Sequence, residues 1–283
     1  MESKNRNAWI IAAVALVIAC CCALAILVAV AAGWFVSAPP RLGGVPGFQR
    51  ERIEQTFEAG AAPSLTVDNF AGSVTVRAGE GGVIQVIATK RAPLGRDLEQ
   101  IDVTMTPQDD GLVITTRKPA ISNNTSVDLE ITAPADTLLD VHTGAGSVDV
   151  RGLQGKVKAD TGAGSVTIED VAAEIEAHTG AGSLDLRGVS GPVRLDTGAG
   201  SIQYEGAPQG DCRFETGAGS IVLTLPTDLN MAVDLQTGIG NVSVDFAVDG
   251  QVSRQRVKGT IGTGDQGSIY AHTGTGSIDL IKQ

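Results

Sequence analysis

The sequence predicts an all-β fold: a single-domain parallel β-solenoid, or β-helix, with coils of about 18 residues, preceded by one N-terminal transmembrane helix. Three observations predict it. The phrase Thr143-Gly144-Ala145-Gly146-Ser147 returns at Thr161, Thr179, Thr197 and Thr216, and in looser form at Thr237 and Thr273. Apolar residues alternate on both sides of each copy, and residues 8–36 form an uncharged apolar run.

A short tail, residues 1–7, precedes that run. Residues 8–36 exceed the roughly 20 residues needed to cross a bilayer, and Trp9 and Trp34 bracket them as indoles do at the two interfaces. The run is also longer than the apolar core of about 7 to 15 residues typical of a cleaved secretory signal, and Pro39 follows Val36-Ser37-Ala38. It reads as an uncleaved signal anchor, with a cytoplasmic N-terminus, the domain outside and the protein in the cell membrane. Val17-Ile18-Ala19-Cys20 resembles a lipobox, so an acylated Cys20 is the alternative anchor.

Residues 37–62 hold Pro39, Pro40, Pro46 and the charged Arg50-Glu51-Arg52-Ile53-Glu54 stretch, and read as a flexible spacer. The solenoid is expected over 63–283. Its first part, 63–142, is irregular: a divergent first copy of the Gly-Ser-Val phrase at 67–76, strands at 112–116 and 127–132, and a short helical excursion at 93–100. Irregular coils are expected of a cap that shields the open end of the stack.

The regular part is 143–283. Spacings of 18 residues, then 19 and 21, leave room for two short strands per coil and no helix. One strand carries Val148 and Val150, Val166 and Ile168, Leu184 and Leu186, Ile202 and Tyr204, Ile221 and Leu223. The other carries Val157 and Ala159, Ile175 and Ala177, Val193 and Leu195, Cys212 and Phe214, Val233 and Leu235. This is strand periodicity with one face buried. Residues 249–258 are expected to form a polar outward loop, with the strand at 278–280 closing the array.

Outward positions test the stacking independently, because rungs on adjacent coils lie about 4.8 Å apart, where like charges repel. They alternate in sign: Arg151, Glu169, Arg187, Glu205 in one column, Lys158, Glu176, Arg194 in a second, His142, Asp160, His178, Asp196 in a third. That alternation suits parallel, in-register neighbours.

Four phrases carry a family resemblance: Asn69-Phe70-Ala71-Gly72-Ser73-Val74-Thr75-Val76, Ile131-Thr132-Ala133-Pro134, the serial Thr-Gly-Ala-Gly-Ser copies, and Gly259-Thr260-Ile261-Gly262-Thr263-Gly264. In that order, over about residues 57–283, the chain resembles the bacterial DUF4097 family of candidate adhesins. The resemblance implies a β-helix domain of cell-envelope proteins and brings no catalytic residues with it.

Site chemistry is sparse. His142 and His178 flank Asp160, but two coils separate the histidines by roughly 10 Å, too far for one metal ion bound at about 2 Å from each. The ladder His142, Asp160, His178, Asp196 therefore reads as an outward polar ladder and the candidate binding element; the remaining alternative is a pH-responsive surface, as His gains charge beside Asp. Gly262-Thr263-Gly264-Asp265-Gln266-Gly267 matches a dinucleotide phrase, but the strand pattern that follows gives no helix N-terminus for a pyrophosphate. Cys212 occupies an inward apolar column, and no disulfide, metal or cofactor is expected.

A net charge of -11 disfavours nucleic acid. Acids spread along ladders, with no tryptophan beyond residue 34, disfavour a polysaccharide-cleaving enzyme. The expected function is a membrane-anchored, extracytoplasmic, non-catalytic adhesin-like binding or scaffold protein that contacts an envelope glycan or surface protein. The alternatives are an envelope-stress sensor acting through a membrane protein partner, and a self-assembling structural protein.

Overall fold

The computed structural model describes residues 49–118 and 124–283. The expected transmembrane helix at 8–36, the tail before it and the Cys20 lipobox lie outside the described residues. Among the described residues no helix is long and apolar enough to cross a membrane.

The chain begins with β1 (Gln49–Glu58), β2 (Ser64–Asn69), β3 (Val74–Gly79) and β4 (Val83–Ala92). A single helical turn, α1 (Gly95–Leu98), leads to β5 (Asp102–Gln108), β6 (Gly111–Arg117) and β7 (Ser126–Pro134). The repeats supply β8 (Leu138–Thr143), β9 (Val148–Arg151), β10 (Val157–Ala163), β11 (Val166–Glu169) and β12 (Ile175–Ala181). They continue with β13 (Leu184–Gly191), β14 (Val193–Ala199), β15 (Ile202–Pro208), β16 (Gly210–Ala218) and β17 (Ile221–Leu225). The C-terminal part holds β18 (Met231–Ile239), β19 (Val242–Val244), β20 (Asp249–Val252), β21 (Arg256–Ile261), β22 (Gly267–Thr275) and β23 (Ile278–Lys282).

Among the described residues these strands make two sheets. The 11-stranded sheet runs β1-β4-β7-β3-β9-β11-β13-β15-β17-β23-β19, and the 12-stranded sheet runs β20-β21-β18-β22-β16-β14-β12-β10-β8-β2-β6-β5. Within the repeats successive strands fall alternately in one sheet and the other, so each coil gives one parallel strand to each. The alternating apolar residues of both strand sets are buried between the sheets, Tyr204 and Phe214 among the largest. Their rings meet edge to face at 5.3 Å.

The repeated phrase is explained at the corner between the two strands. Thr161, Thr179, Thr197 and Thr216 are buried, and each hydroxyl donates to the second glycine carbonyl of the preceding coil, at 2.9, 2.8, 2.9 and 2.8 Å. On β2 Asn69 takes this place and donates to the carbonyls of Gly72 and Val127. Backbone stacks on backbone there: a Cβ on Gly180 would lie 2.6 Å from the Gly162 carbonyl oxygen. Thr179→Val keeps the shape and removes one hydroxyl, leaving a carbonyl short of a partner. It is expected to cost about 1–3 kcal/mol in urea unfolding.

The ends depart from the sequence reading in four ways. Residues 49–58, inside the stretch read as spacer, form β1 and belong to the same compact unit as the solenoid. Ile53 and Phe57 pack on the core from this edge strand while its charged residues face outward, which is how an edge strand avoids pairing with another chain. The first coil, β2 and β3, does not end the stack, because β6 and β7 lie outside it. Residues 249–258 are largely an antiparallel hairpin of β20 and β21, not a loop.

The final strand does not close the array either. The last coil, β22 and β23, is inserted between the coils of β16–β17 and β18–β19. A coil with neighbours on both sides must offer full-length strands to both, and β22 and β23 have nine and five residues where β19 has three. The shorter coil goes to the end, and antiparallel β20 and β21 cover it. The solenoid is thus parallel through its middle and mixed at both ends.

Candidate functional site

The outer face of the 12-stranded sheet gathers the predicted ladder. His142, Asp160, His178 and Asp196 stand on β8, β10, β12 and β14 in direct register. The column is longer than the sequence suggested. Asp68 precedes His142, and Glu215, His272 and Gln236 follow Asp196, so all three histidines of the chain share one column.

Contacts along it are those of an ion-pair ladder. His142 Nδ1 lies 3.1 Å from Asp160 Oδ2 and Nε2 lies 3.0 Å from Asp140 Oδ1, while His178 Nδ1 lies 3.5 Å from Asp196 Oδ1. Lys158 lies within 3.7 Å of Asp160 and 3.9 Å of Asp140. A shallow groove of about 390 Å³ runs along His142, Asp160 and His178 beside the glycine corner. Among the described residues no three His, Cys, Asp or Glu side chains converge as a metal site would need. His272 Nδ1 is buried without a hydrogen-bond partner among the described residues.

The second column follows the same face, two residues earlier on each strand. It runs Asp140, Lys158, Glu176, Arg194, Arg213, Tyr270, Asp234, Lys258. Its sign alternation holds to Arg194 and then breaks, because Arg213 is the next rung. In the sequence pattern the column is visible only as far as Arg194. The signal was present, since Arg213 and Tyr270 each stand three residues before a phrase threonine, but which coil follows which was not.

The first column belongs to the other sheet, where Arg151, Glu169, Arg187 and Glu205 pair in register. Arg151 Nη1 lies 3.1 Å from Glu169 Oε2. Arg77 is the register partner of Arg151 on its other side, so Glu169→Arg puts four like charges in succession. It is expected to lower the melting temperature at low salt, with more than about half of the deficit removed in 1 M salt, as these exposed charges are screened.

Cys212 is buried in the predicted inward column, its Sγ 3.8 Å from the Gly191 carbonyl oxygen. Burial pushes its thiol up from its ordinary range, and burial pushes the Tyr204 phenol up as well. Groups whose pKa is raised on folding stabilise the fold fully below their unfolded pKa, and that stability is lost as pH rises through the folded value. Stability is therefore expected to fall above about pH 8.5, the unperturbed thiol value. Cys212→Val should flatten the first part of that fall when melting is followed from pH 7 to 10.

No curated protein matches the chain. Among solved structures, a candidate cell adhesion protein from Clostridium sporogenes ATCC 15579 is 13% identical, covering 83% of this chain and 100% of its own, with a TM-score of 0.37. A candidate adhesin from Bacteroides fragilis NCTC 9343 is 14% identical over 82% of this chain and 97% of its own, with a TM-score of 0.38. One from Parabacteroides merdae ATCC 43184 is 10% identical over 82% and 96%, with a TM-score of 0.26. Likeness at these scores carries no argument. The family model does: it matches residues 121–280, which hold the serial threonine-glycine phrases and both outward columns from Asp140 onward. The chain belongs to the Toastrack DUF4097 family.

Proposed function

We propose that this protein is a non-catalytic, adhesin-like binding or scaffold protein, held at the cell membrane by residues 8–36 with the solenoid outside the cytoplasm. Its contact surface is the outer face of the 12-stranded sheet. The observation that carries this reading is the pair of outward polar columns, fixed in register across β8, β10, β12, β14, β16, β22 and β18. A rigid row of charged and polar rungs about 4.8 Å apart offers repeated contacts to an envelope glycan or surface protein, and repeated weak contacts add up to avidity. Asp140, Asp160, Asp196 and Glu215 on this face each have a histidine or arginine neighbour that holds them in place.

A pull-down from native membranes under mild crosslinking tests it. The full chain is compared with a triple variant, Asp160→Asn, Asp196→Asn, Glu215→Gln, and with a chain whose residues 8–36 are replaced by an unrelated spanning helix. Loss of the partner in the face variant alone supports the reading. Retention in the face variant and loss in the helix swap would replace it with the sensor role.

A further inference from the structure

We infer that Arg194, Arg213 and Tyr270 form a binding site for an acidic saccharide, a sugar unit bearing a carboxylate beside its hydroxyls. This rests on the binding-surface reading above and names the ligand class for that face.

At this site the sign alternation of the second column fails, and Asp196 faces Glu215 in the neighbouring column as well. Everywhere before it on this column opposite charges face each other across adjacent coils, yet Arg194 and Arg213 are register partners on β14 and β16. Like charges directly opposite are unfavourable. Arg213 is held from both sides: Nε and Nη2 donate to Glu215 at 2.8 and 2.7 Å, and its guanidinium lies 4.4 Å from the centre of the Tyr270 ring. Arg194 is exposed and forms no ion pair among the described residues. One guanidinium is thus fixed and the other left with an open fork.

The backbone widens at the same place. β13 and β15 pair at an offset of 18 residues up to Glu205 and 17 from Gly206 to Pro208, whereas β14 and β16 pair at 19 from Arg213. Two extra residues therefore fold out around Gln209 and Gly210. Next to them, Asp211 lines a depression of about 380 Å³, within the range of small-ligand sites, roughly 300–1,000 Å³. Arg194, Arg213 and Tyr270 line it, together with Glu176, Asp211 and Ser268. Asp211 is oriented by the Ser268 hydroxyl at 2.7 Å.

A ligand that fits must bring an anion for the open arginine fork and several neutral donors for Glu176 and Asp211. A carboxylated sugar brings both, with its acid on Arg194 and its hydroxyls donating to the two carboxylates. The phenol hydroxyl of Tyr270 adds a further polar contact at the rim.

The test is titration calorimetry at low salt on the full chain in detergent micelles. The probes are a galacturonic acid hexamer, its fully methyl-esterified form and hexaglutamate. The hexamer is expected to bind, and the ester to bind about tenfold or more weakly, as loss of a charge-assisted pair requires. Arg194→Gln should weaken the hexamer similarly, while Arg187→Gln on the opposite sheet leaves it unchanged. Arg194→Gln should also melt at the same temperature as the parent or higher, since it relieves the like-charge rung, so lost binding cannot be put down to misfolding. Equal binding of ester and acid, an unaffected Arg194→Gln variant, or hexaglutamate binding as tightly as the sugar would each overturn the inference. No saccharide binding while the membrane pull-down still depends on this face would refute the ligand class and leave the contact surface intact.

Discussion

Gly164→Ala is expected to destabilise the solenoid by about 3 kcal/mol or more, a large effect for one methyl group. Gly164 sits at φ +151°, and a Cβ there would be driven into the carbonyl oxygen of Gly146 on the preceding coil. The damage would not stay local. Thr179 donates its hydroxyl to the Gly164 carbonyl, and a Cβ on Gly182 would in turn meet that same carbonyl, so a shift of Gly164 displaces the coil on either side. Ala163, one residue earlier, is exposed at the same corner, and Ala163→Ser should change stability by no more than about 0.5 kcal/mol. Urea unfolding of the two variants side by side checks the claim. Equal effects would mean that the corner is loose and that the repeated glycines serve something other than stacking.

Phe214→Ala is expected to cost about 3–5 kcal/mol. Phe214 is fully buried, and its edge-to-face partner Tyr204 is itself buried, its hydroxyl 3.4 Å from the Val189 carbonyl oxygen. Walls made of backbone ladders on both sides cannot collapse into the gap as side chains on mobile helices do, so most of the cavity should persist. Phe214→Leu, which keeps much of the volume, should cost less than about 1.5 kcal/mol. In a stack stabilised by nearest neighbours the weakness should also be local. Hydrogen exchange should accelerate on β14, β16 and β22 well before it does on β8 and β10. A uniform acceleration would show that the coils unfold as one unit.

The sequence by itself determined the coil. Thr161, Thr179 and Thr197 recur at a fixed interval with two alternating apolar pairs between them, and period two admits only one face to the core, so strands, burial and coil length follow. The register followed as well, because sign alternation in columns such as Lys158, Glu176, Arg194 has a physical purpose only at the spacing of adjacent strands. The ladder His142, Asp160, His178, Asp196 was legible for the same reason. Residues 49–58 were not, because a charged edge strand and a charged spacer have similar composition. They differ only in whether Ile53 and Phe57 find a surface to cover.

Only the tertiary structure decided the order of the coils at the ends. A phrase of local sequence records that a coil can stack, but pairing between coils carries no label for chain order, and any coil with the right corner can occupy any rung. The long chain separation between Phe214 and Ala271 is spanned because the last coil offers two full-length edges and the one before it does not. That placement brings Tyr270 against Arg213, more than 50 residues away in the chain, and makes a depression beside a rung of like charges.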